Sequence, residues 1–481
     1  MNHRKLAYGA ILSVGANALK SALLFLLLPV MAKLVGPEQY GLYSIALPAV
    51  MFVMAIADAG LGLSLARETD DSSPVWPTAI IALAGLSLSL ALILVVYSWV
   101  VSLTIGDSRL FAITSILSIS VFLTAMTIVP LARLMRNGEL TSIAIFEFMA
   151  FLIGAGVALA LALAGLGVWA LVSQSIVTSL CRCILMNLKM PPRFSFAFSM
   201  ASLRPHMALG GAVGAGRLAD FGGRLIEMLV IGKFSSAALT GAFGFGNQVT
   251  KFAIEMINNT TWSISFMLAL QSTGEVLKEN YFRISRVSAM ALFPIGGMAA
   301  ACSGDLIALI MGPEWAPAAL LIGVFGPVSA LTGVVSMGMA VMYARGVASS
   351  PLVFTVELIT LRVLSICMLP IFGWEAMIYA LGVSYLINSA HGFWMIERRY
   401  KWKIGSLILW LLRPAAASLA AAGAYTLLMS QLDLTLVNLV ISCAAGGVVY
   451  CALLFALDHR RIIQDVTSFY ALLRSKDAAA S

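Results

Sequence analysis

Charged residues are scarce in this sequence, and their scarcity excludes an ordinary soluble domain. Asp, Glu, Lys and Arg make up 11% of the 481 residues, whereas they make up about 25% of a typical soluble domain. No long polar or low-complexity stretch interrupts the chain, which excludes an inserted soluble domain, a disordered linker and a long external loop.

Cysteine is also scarce, and its positions exclude a disulfide framework and a zinc site. The six cysteines all lie in apolar runs, and no pair has the spacing of zinc ligands. Cys181 and Cys183 are two residues apart, so on a helix they point to different sides. We therefore expect packing roles for the cysteines, and neither a metal nor another cofactor.

Long apolar runs, in contrast, are abundant, since 60% of the residues are hydrophobic. A membrane-spanning helix needs about 20 apolar residues, and runs of this length recur along the chain. Fourteen segments have this character: 8–32, 39–62, 78–104, 109–131, 141–164, 167–188, 207–232, 237–268, 287–310, 315–342, 350–372, 375–396, 407–429 and 435–457. They predict an all-α polytopic membrane protein with about 14 transmembrane helices, of which the long eighth segment is either one helix or two spans.

Lys and Arg are distributed unevenly between the two ends of these segments. Twenty of them flank one set of ends, and only three, Lys33, Arg109 and Lys233, flank the other. Cytoplasmic loops carry the excess of positive residues, so both termini are expected to be cytoplasmic. This bias also accounts for the formal net charge of +8 without a nucleic-acid partner.

An internal duplication is visible at a nearly constant offset. LVGPEQYGLYS at 34–44 aligns with KFSSAALTGAFG at 233–244, which matches Gly41 to Gly241 at an offset of 200. Glu147 and Glu357 occupy corresponding segments further on, and each is expected to pair with a nearby arginine. The duplication predicts two six-helix lobes in parallel repeat, followed by two additional helices.

Three short segments give the sequence a family resemblance. VGPEQYGLYSIA at 35–46, DAGLGLSLARE at 58–68 and MGPEWAPA at 311–318 resemble recurring segments of the polysaccharide transporter (Wzx-type) family of lipid-linked oligosaccharide flippases. That family belongs to a superfamily with the multidrug and toxin extrusion transporters and the lipid II flippases. Drug antiporters of the superfamily typically have twelve helices, so fourteen segments favour the lipid-linked sugar branch.

The resemblance implies two six-helix lobes around a central cavity. The corresponding parts are a lobe at 1–190, a cytoplasmic linker at 191–206, a second lobe at 207–396, two additional helices at 397–457 and a cytoplasmic tail at 458–481. It also implies export of undecaprenyl-diphosphate-linked oligosaccharide across a bacterial inner membrane by alternating access. The two repeats are not equivalent, because the loop of the first repeat has Gly36 and Pro37, whereas the loop of the second has Ser235 and Ser236.

Charged residues inside the apolar segments are the main candidates for a site. In GRLADFGGRLIE (216–227), Arg217, Asp220, Arg224 and Glu227 share one helical stripe, and Arg217 lies about 15 Å along its segment. Such a stripe must face protein or water, because an ionised group facing lipid costs about 2.5–3.5 kcal/mol.

We assign these embedded residues by their chemistry. Guanidinium and ammonium groups bind diphosphate oxygens, and the cations thus predict a substrate site. The substrate-binding candidates are Arg217, Arg224, Lys20, Lys251, Arg362 and Asn17. The candidates for coupling transport to a proton or a sodium ion are Asp220, Glu227 and Glu255. Asp58, Arg67 and Glu68 are expected to form a structural charge cluster at the end of the second segment.

Other interpretations of the same residues remain open at this stage. The spacings also fit internal ion pairs that only hold helices together, namely Arg217–Asp220, Arg224–Glu227 and Lys251–Glu255. A cation-coupled drug antiporter of the same superfamily is one alternative function, although its cavity is expected to be acidic. A membrane polysaccharide polymerase or ligase is another, although such enzymes carry a large external loop. We therefore expect a transporter and not an enzyme, with a polymerase or co-polymerase as a further partner.

Overall fold

The computed structural model describes the backbone of residues 3–58, 61–68, 70, 73–192, 198–347 and 349–479. Within these ranges, the side chains of residues 3–14, 63, 207–217, 458, 460–462, 465–466 and 468–479 are not described. The structural statements below refer to the described part of the chain.

The chain divides into two compact units, and the boundary falls between Gly241 and Ala242. The helices of the first unit are α1 (His3–Val35), α2 (Pro37–Asp58), α3 (Leu61–Leu65), α4 (Val75–Ile105), α5 (Arg109–Arg136), α6 (Leu140–Leu163), α7 (Val168–Lys189) and α8 (Met200–Phe234). The first residues of α9 (Ala237–Gln271) also belong to this unit. The second unit contains the rest of α9, then α10 (Gly274–Ile310), a short 3-10 turn (Pro313–Trp315), α11 (Ala316–Ala344), α12 (Ser349–Ile366), α13 (Leu369–Tyr400), α14 (Gly405–Met429) and α15 (Leu436–Ala479).

The long helices correspond one to one with the fourteen predicted segments. Twelve of them, among the described residues, are long and apolar enough to cross a membrane. The other two are α8 and α9, each 35 residues long, and α8 carries the charged stripe. Because α9 is one continuous helix, the eighth segment is not divided into two spans. The predicted class is confirmed: the protein is an all-α, multi-pass membrane protein.

Several helix boundaries extend beyond the predicted segments. Helix α8 begins at Met200, inside the stretch predicted as a linker, and α15 continues through the predicted tail to Ala479. The assignment of residues 1–190 and 207–396 to two lobes stays a prediction.

The core of the first unit forms where α2 and α5 pack together and against α4. Leu42, Ile45 and Val53 of α2 are buried against Ile113 and Leu117 of α5. Helix α8 packs along α2 as well, and its Gly222 leaves room for the Phe52 ring. These contacts bring the charged stripe of α8 into the first unit.

The core of the second unit is built on α10 and α11, and the two appended helices pack on α10. Tyr281 of α10 is buried and stacks on Trp402 with ring centroids 5.5 Å apart. The Ser418 hydroxyl of α14 donates to the Phe293 carbonyl of α10, and the Tyr450 hydroxyl of α15 donates to the Met290 carbonyl of α10. The appended helices are therefore an integral part of this unit.

The internal repeat is visible as a reciprocal contact within the first unit. The first turns of α2 and α9 pack backbone to backbone through the aligned glycines Gly41 and Gly241. A Cβ atom on Gly41 would overlap the Ala237 carbonyl oxygen and lie 2.9 Å from the Gly241 nitrogen. A Cβ atom on Gly241 would overlap the Pro37 carbonyl oxygen and lie 2.9 Å from the Gly41 nitrogen. At the offset of 200 residues, Gly41 corresponds to Gly241 and Pro37 corresponds to Ala237. The two matched segments therefore contact each other symmetrically.

Candidate functional site

Two embedded cations of the first unit converge on one carboxylate. Lys20 Nζ of α1 lies 3.1 Å from Glu147 Oε2 of α6, and Arg182 Nη1 of α7 lies 3.3 Å from Glu147 Oε1. The expectation that Glu147 pairs with an arginine is confirmed. At neutral pH two cations and one carboxylate leave one positive charge in excess. We call Lys20, Glu147 and Arg182 the cationic triad.

The three side chains of the triad are partly buried. The exposed fractions of the Lys20, Glu147 and Arg182 side chains are 26%, 23% and 25%. Arg182 Nε is buried and has no hydrogen-bond partner among the described residues. A buried donor without a partner costs about 1–3 kcal/mol, so this guanidinium retains capacity for a further acceptor such as a phosphate oxygen.

Arg182 is a residue that the sequence reasoning left out of the candidate site. It lies within the apolar run of α7 (Val168–Lys189), so the rule that singled out Lys20 also applied to it. The triad combines α1, α6 and α7, and sequence separation gave no indication that these helices meet.

The charged stripe of α8 forms an ion pair within one turn of the helix. Arg224 Nη2 lies 2.9 Å from Asp220 Oδ2, and the Arg224 guanidinium lies 6.0 Å from the centroid of the Phe221 ring. Arg224 Nε, like that of Arg182, is buried without a hydrogen-bond partner in the described structure. Arg217 is on the same helix, but its side chain lies outside the described residues.

A cavity of the first unit is lined by one residue of the cationic triad and by one residue of α8. Its volume is about 250 Å³, and it lies among α2, α5, α7 and α8. Arg182, Asp58 and Phe221 line it together with apolar residues such as Met54 and Ile128. Phe221 thus lines the cavity and also lies beside the Arg224 guanidinium. The first unit therefore contains a small, mostly apolar chamber with an arginine on its wall.

The other substrate-binding candidates differ in their burial and contacts. Asn17 of α1 is exposed, and Lys251 of α9 is half-buried in the second unit. Arg362 of α12 is 5% exposed, with its guanidinium 5.7 Å from the centroid of the Tyr385 ring. The structure therefore brings together Lys20 and Arg182 on Glu147, whereas Lys251 and Arg362 belong to the second unit.

The three acidic candidates for ion coupling have different surroundings. Asp220 is ion-paired with Arg224. Glu227, on the same helix, is 1% exposed and also has an interaction partner. Glu255 of α9 is exposed and lies in the second unit.

At the end of α2, where the sequence predicts a cluster of Asp58, Arg67 and Glu68, one of the three contacts a histidine, and the cluster itself stays a prediction. Glu68 Oε2 lies 3.6 Å from His206 Nε2 of α8, and His206 Nδ1 is hydrogen-bonded to the Ser64 hydroxyl at 2.9 Å. Asp58 is the last residue of α2 and lines the cavity, whereas Arg67 is exposed. These contacts link the segment after α2 to the first turns of α8.

Glu357, the residue of the second unit that corresponds to Glu147, has titratable and neutral partners. The Asn388 amide donates to Glu357 Oε2 at 3.3 Å and to the Phe354 carbonyl at 3.0 Å. His391 Nδ1 contacts Glu357 Oε2 as well. Equivalent glutamates in the two repeats are thus held by different chemistry, and the sequence reasoning included neither Asn388 nor His391.

Replacing Glu357 by alanine is expected to lower the stability of the second unit. Asn388 is completely buried, so its amide would lose an acceptor and gain no water. We expect a loss of about 1–3 kcal/mol, and a smaller loss in Glu357→Gln, which retains an acceptor oxygen. The measurement is the thermal unfolding midpoint of the detergent-solubilised protein, with Glu375→Ala at an exposed glutamate as the control. Equal midpoints for Glu357→Ala and Glu375→Ala would contradict the expectation.

A separate ion-pair group lies where α4 ends and α5 begins. Its side chains are largely exposed. Arg109 Nη2 lies 2.8 Å from Asp107 Oδ2 and 2.6 Å from Glu38 Oε1. The hydrogen bonds from the Arg109 side chain lower the pKa of Asp107, although partial burial of the carboxyl opposes this effect. Asp107 therefore stays ionised at neutral pH, and any stability that this pairing contributes is lost only as the pH falls through the lowered pKa of Asp107.

Comparison with known proteins assigns the family. The model of the family described as "Polysaccharide biosynthesis protein" matches residues 30–320, which is more than half of the chain. The chain belongs to this family. The resemblance inferred from the short sequence segments is thereby confirmed, and the matched residues include all of α2 to α10.

Two curated relatives have similar sequences. The succinoglycan biosynthesis transport protein ExoT of Rhizobium meliloti is 22% identical over 328 residues, which cover 66% of this chain and 64% of ExoT. The teichuronic acid biosynthesis protein TuaB of Bacillus subtilis is 23% identical over 270 residues, which cover 54% of this chain and 55% of TuaB. The match thus spans less than two thirds of either relative.

Solved structures share the fold at low sequence identity. The lipid II flippase MurJ in an inward closed conformation has a TM-score of 0.74 and 11% identity, covering 94% of this chain and all of that chain. An inward-facing multidrug resistance transporter of the MATE family has a TM-score of 0.63 and 14% identity, covering 79% of this chain and 94% of that chain. The polysaccharide biosynthesis family member described here therefore has the all-α fold of MurJ and MATE transporters.

Proposed function

We propose that this polysaccharide biosynthesis protein is a flippase that exports undecaprenyl-diphosphate-linked oligosaccharide repeat units by alternating access. The observation that carries the proposal is the cationic triad, which holds an excess positive charge between membrane-spanning helices. A diphosphate carries about two negative charges. It is the part of such a substrate whose transfer into the hydrocarbon interior of the membrane costs the most free energy. The triad and Arg224 supply the complementary charge.

Arginine is well suited to this role. Its planar guanidinium binds phosphate oxygens with two parallel hydrogen bonds, whereas the Lys20 ammonium acts as a point charge. Arg182 and Arg224 each have a buried Nε that no described residue satisfies. Glu147 and Asp220 hold the two guanidinium groups when substrate is absent, and a diphosphate would compete with these carboxylates.

The second unit has a cavity suited to an isoprenoid or acyl chain. Its volume is about 630 Å³, and it lies among α10, α11, α13 and α14. Nearly all of its lining is apolar, including Phe293, Leu331, Phe393 and Leu411. A lipid tail gains free energy by contact with such a surface without leaving the membrane. This cavity supports a lipid-linked substrate.

The same proposal includes orientation, energy source and partners. We propose a bacterial inner-membrane location with both termini cytoplasmic, on the basis of the Lys and Arg distribution. Export is driven by a proton or a sodium ion, with Asp220, Glu227 and Glu255 as the coupling candidates. The polymerase and co-polymerase of the same polysaccharide are the proposed protein partners, and the chain itself transports the repeat unit and does not polymerise it.

The test is complementation of a strain that lacks this chain. We expect the strain to lose surface polysaccharide and to accumulate lipid-linked repeat units that a sugar-cleaving enzyme added to spheroplasts cannot reach. The wild-type chain should restore polymer. Accumulation of units that the added enzyme does reach would instead indicate a polymerase, and loss of resistance to cationic drugs with normal polysaccharide would indicate a drug antiporter.

A further inference from the structure

One face of α9 carries exposed polar side chains in a helix that the sequence predicts to span the membrane. Gln248, Glu255, Asn259 and Ser263 are all exposed. Successive members are seven, four and four residues apart, and these spacings are close to whole turns, so the four residues share one stripe of the helix. We call these four residues the polar stripe of α9.

The opposite face of α9 is packed into the second unit. Ile254 and Leu268 belong to the apolar core of that unit. The buried Ser265 hydroxyl donates to the Met337 carbonyl of α11 at 3.1 Å. These contacts fix the rotation of α9 about its axis, so the polar stripe lies on the side of the helix that faces away from the core.

The position of the stripe limits what it can face. Glu255 lies at the middle of the 35 residues of α9. Polar groups at the middle of a membrane helix are costly against lipid, and they therefore face protein or a water-filled cavity. Because the polar stripe is exposed, we expect it to border an aqueous space that a hydrophilic substrate can enter.

Two aromatic rings continue the same face of α9. Trp262 and Phe266 are half-buried, and their rings are stacked with centroids 5.6 Å apart and an interplanar angle of 10°. Tyr343 of α11 is 44% exposed and approaches Trp262 edge-on, with ring centroids 6.5 Å apart. Phe266 lies three residues after Ser263, so the rings adjoin the polar stripe.

This combination of side chains matches the chemistry of a sugar. A sugar ring has hydroxyl groups at its edge and C–H groups on its faces. Amide, carboxylate and hydroxyl side chains exchange hydrogen bonds with the hydroxyl groups, and the negative face of an aromatic ring attracts the C–H groups. An isoprenoid chain would instead require an apolar surface, and a diphosphate would require cations.

We propose that the polar stripe of α9, together with Trp262 and Phe266, binds the oligosaccharide part of the exported substrate. The inference rests on the proposed flippase function, and it assigns the sugar to residues other than the cations assigned to the diphosphate. Asn259 and Ser263 hydrogen-bond sugar hydroxyls, and the Trp262 ring packs against a sugar face. From Gln248 to Ser263 the stripe is about 22 Å long, so it can contact more than one sugar ring.

The experiment measures the binding of two probes to the purified full-length chain in lipid nanodiscs. One probe is the undecaprenyl-diphosphate-linked repeat unit extracted from a strain that lacks the chain, and the other is undecaprenyl diphosphate without sugar. We expect the wild-type chain to bind the sugar-bearing probe more tightly. Asn259→Ala and Trp262→Leu should each weaken binding of that probe roughly three- to tenfold and leave binding of the sugar-free probe unchanged.

Matched variants control for the loss of an exposed amide or ring. Gln431→Ala removes an exposed amide between α14 and α15, and Trp99→Leu removes an exposed ring of α4. Both should keep the wild-type preference for the sugar-bearing probe. Trp262→Phe retains an aromatic ring and should retain most of the preference. Glu255 is left unchanged, because it is also a candidate for ion coupling.

The possible outcomes separate this inference from the proposed function. If the wild-type chain prefers the sugar-bearing probe and the Asn259 and Trp262 variants keep that preference, the stripe does not bind sugar and the flippase proposal stands. Equal weakening of both probes in these variants, or equal affinity of the wild-type chain for both probes, would also overturn the sugar site. If the wild-type chain binds neither probe, the proposed function fails and the inference fails with it.

Discussion

Replacing Arg182 and Arg224 together by glutamine is expected, under the proposed flippase function, to reduce export of lipid-linked repeat units to the level of a strain without the chain. A hydrogen bond to a charged group contributes about 1.5–3 kcal/mol, so each arginine contributes roughly 10- to 100-fold in substrate affinity. Each single variant should therefore export weakly, and the pair should export nothing measurable. The measurement is surface polysaccharide, with the accumulated lipid-linked units as the second readout.

Protein abundance and a matched control distinguish substrate binding from a structural role. Arg204→Gln changes an exposed arginine on the same helix as Arg224 and should leave export unchanged. The Arg182 and Arg224 variants should be inserted at wild-type levels, because Lys20 still pairs with Glu147. If export falls only in proportion to protein abundance, the arginines hold helices together and do not bind substrate.

A compensating substitution makes this distinction sharper. If Arg182 serves only to neutralise Glu147, then Glu147→Gln should restore export to Arg182→Gln. If Arg182 binds the diphosphate, the combined variant should stay defective, since Lys20 supplies a point charge without the guanidinium fork. Restored export in the combined variant would leave the family assignment intact and remove Arg182 from the substrate site.

Among the glycines that the structure describes, Gly41→Ala is expected to have the largest effect on stability. The added Cβ would overlap the backbone carbonyl of Ala237, and backbone cannot move aside as a flexible side chain can. Overpacking of this kind costs about 1–3 kcal/mol and sometimes more, and Gly241→Ala should behave in the same way because the contact is reciprocal. The measurement is the thermal unfolding midpoint and the yield of folded protein in detergent.

Glycines in open space provide the control for this prediction. Gly85 in α4 and Gly156 in α6 have no atom within 4 Å of a Cβ position. Alanine there should be neutral or stabilising by up to about 1 kcal/mol, since alanine favours the helix more than glycine does. The two sets of variants should therefore change the midpoint in opposite directions. A wild-type midpoint for Gly41→Ala would show that the first turns of α2 and α9 are not in close contact.

The fold class and the repeat could be predicted from the sequence because both depend on patterns of residues along the chain. The apolar runs located every long helix, including α8 and α9 with their charged and polar residues. The offset of 200 residues matches Gly41 to Gly241, and these two glycines contact each other in the structure. Helix ends were less accurate: α10 begins at Gly274 and α15 reaches Ala479, because both helices continue past the apolar part of their segments.

The candidate site was predictable only in part. The cost of burying charge singled out Lys20 and Arg224 because both lie in apolar segments, but it treats all such residues alike. It could not show that Lys20 shares Glu147 with Arg182, or that Arg224 pairs with Asp220. The partners His391 and Asn388 of Glu357 were missed for the same reason.

The sequence by itself determined that this is a multi-pass membrane protein of the polysaccharide biosynthesis family, because hydropathy and family motifs depend on residues close together in the chain. Only the tertiary structure decided which charges meet. Glu147 is 127 residues from Lys20 and 35 from Arg182. Their contact depends on how α1, α6 and α7 pack. Packing between helices is decided by the shape and close fit of their surfaces, which a pattern along one chain segment does not record.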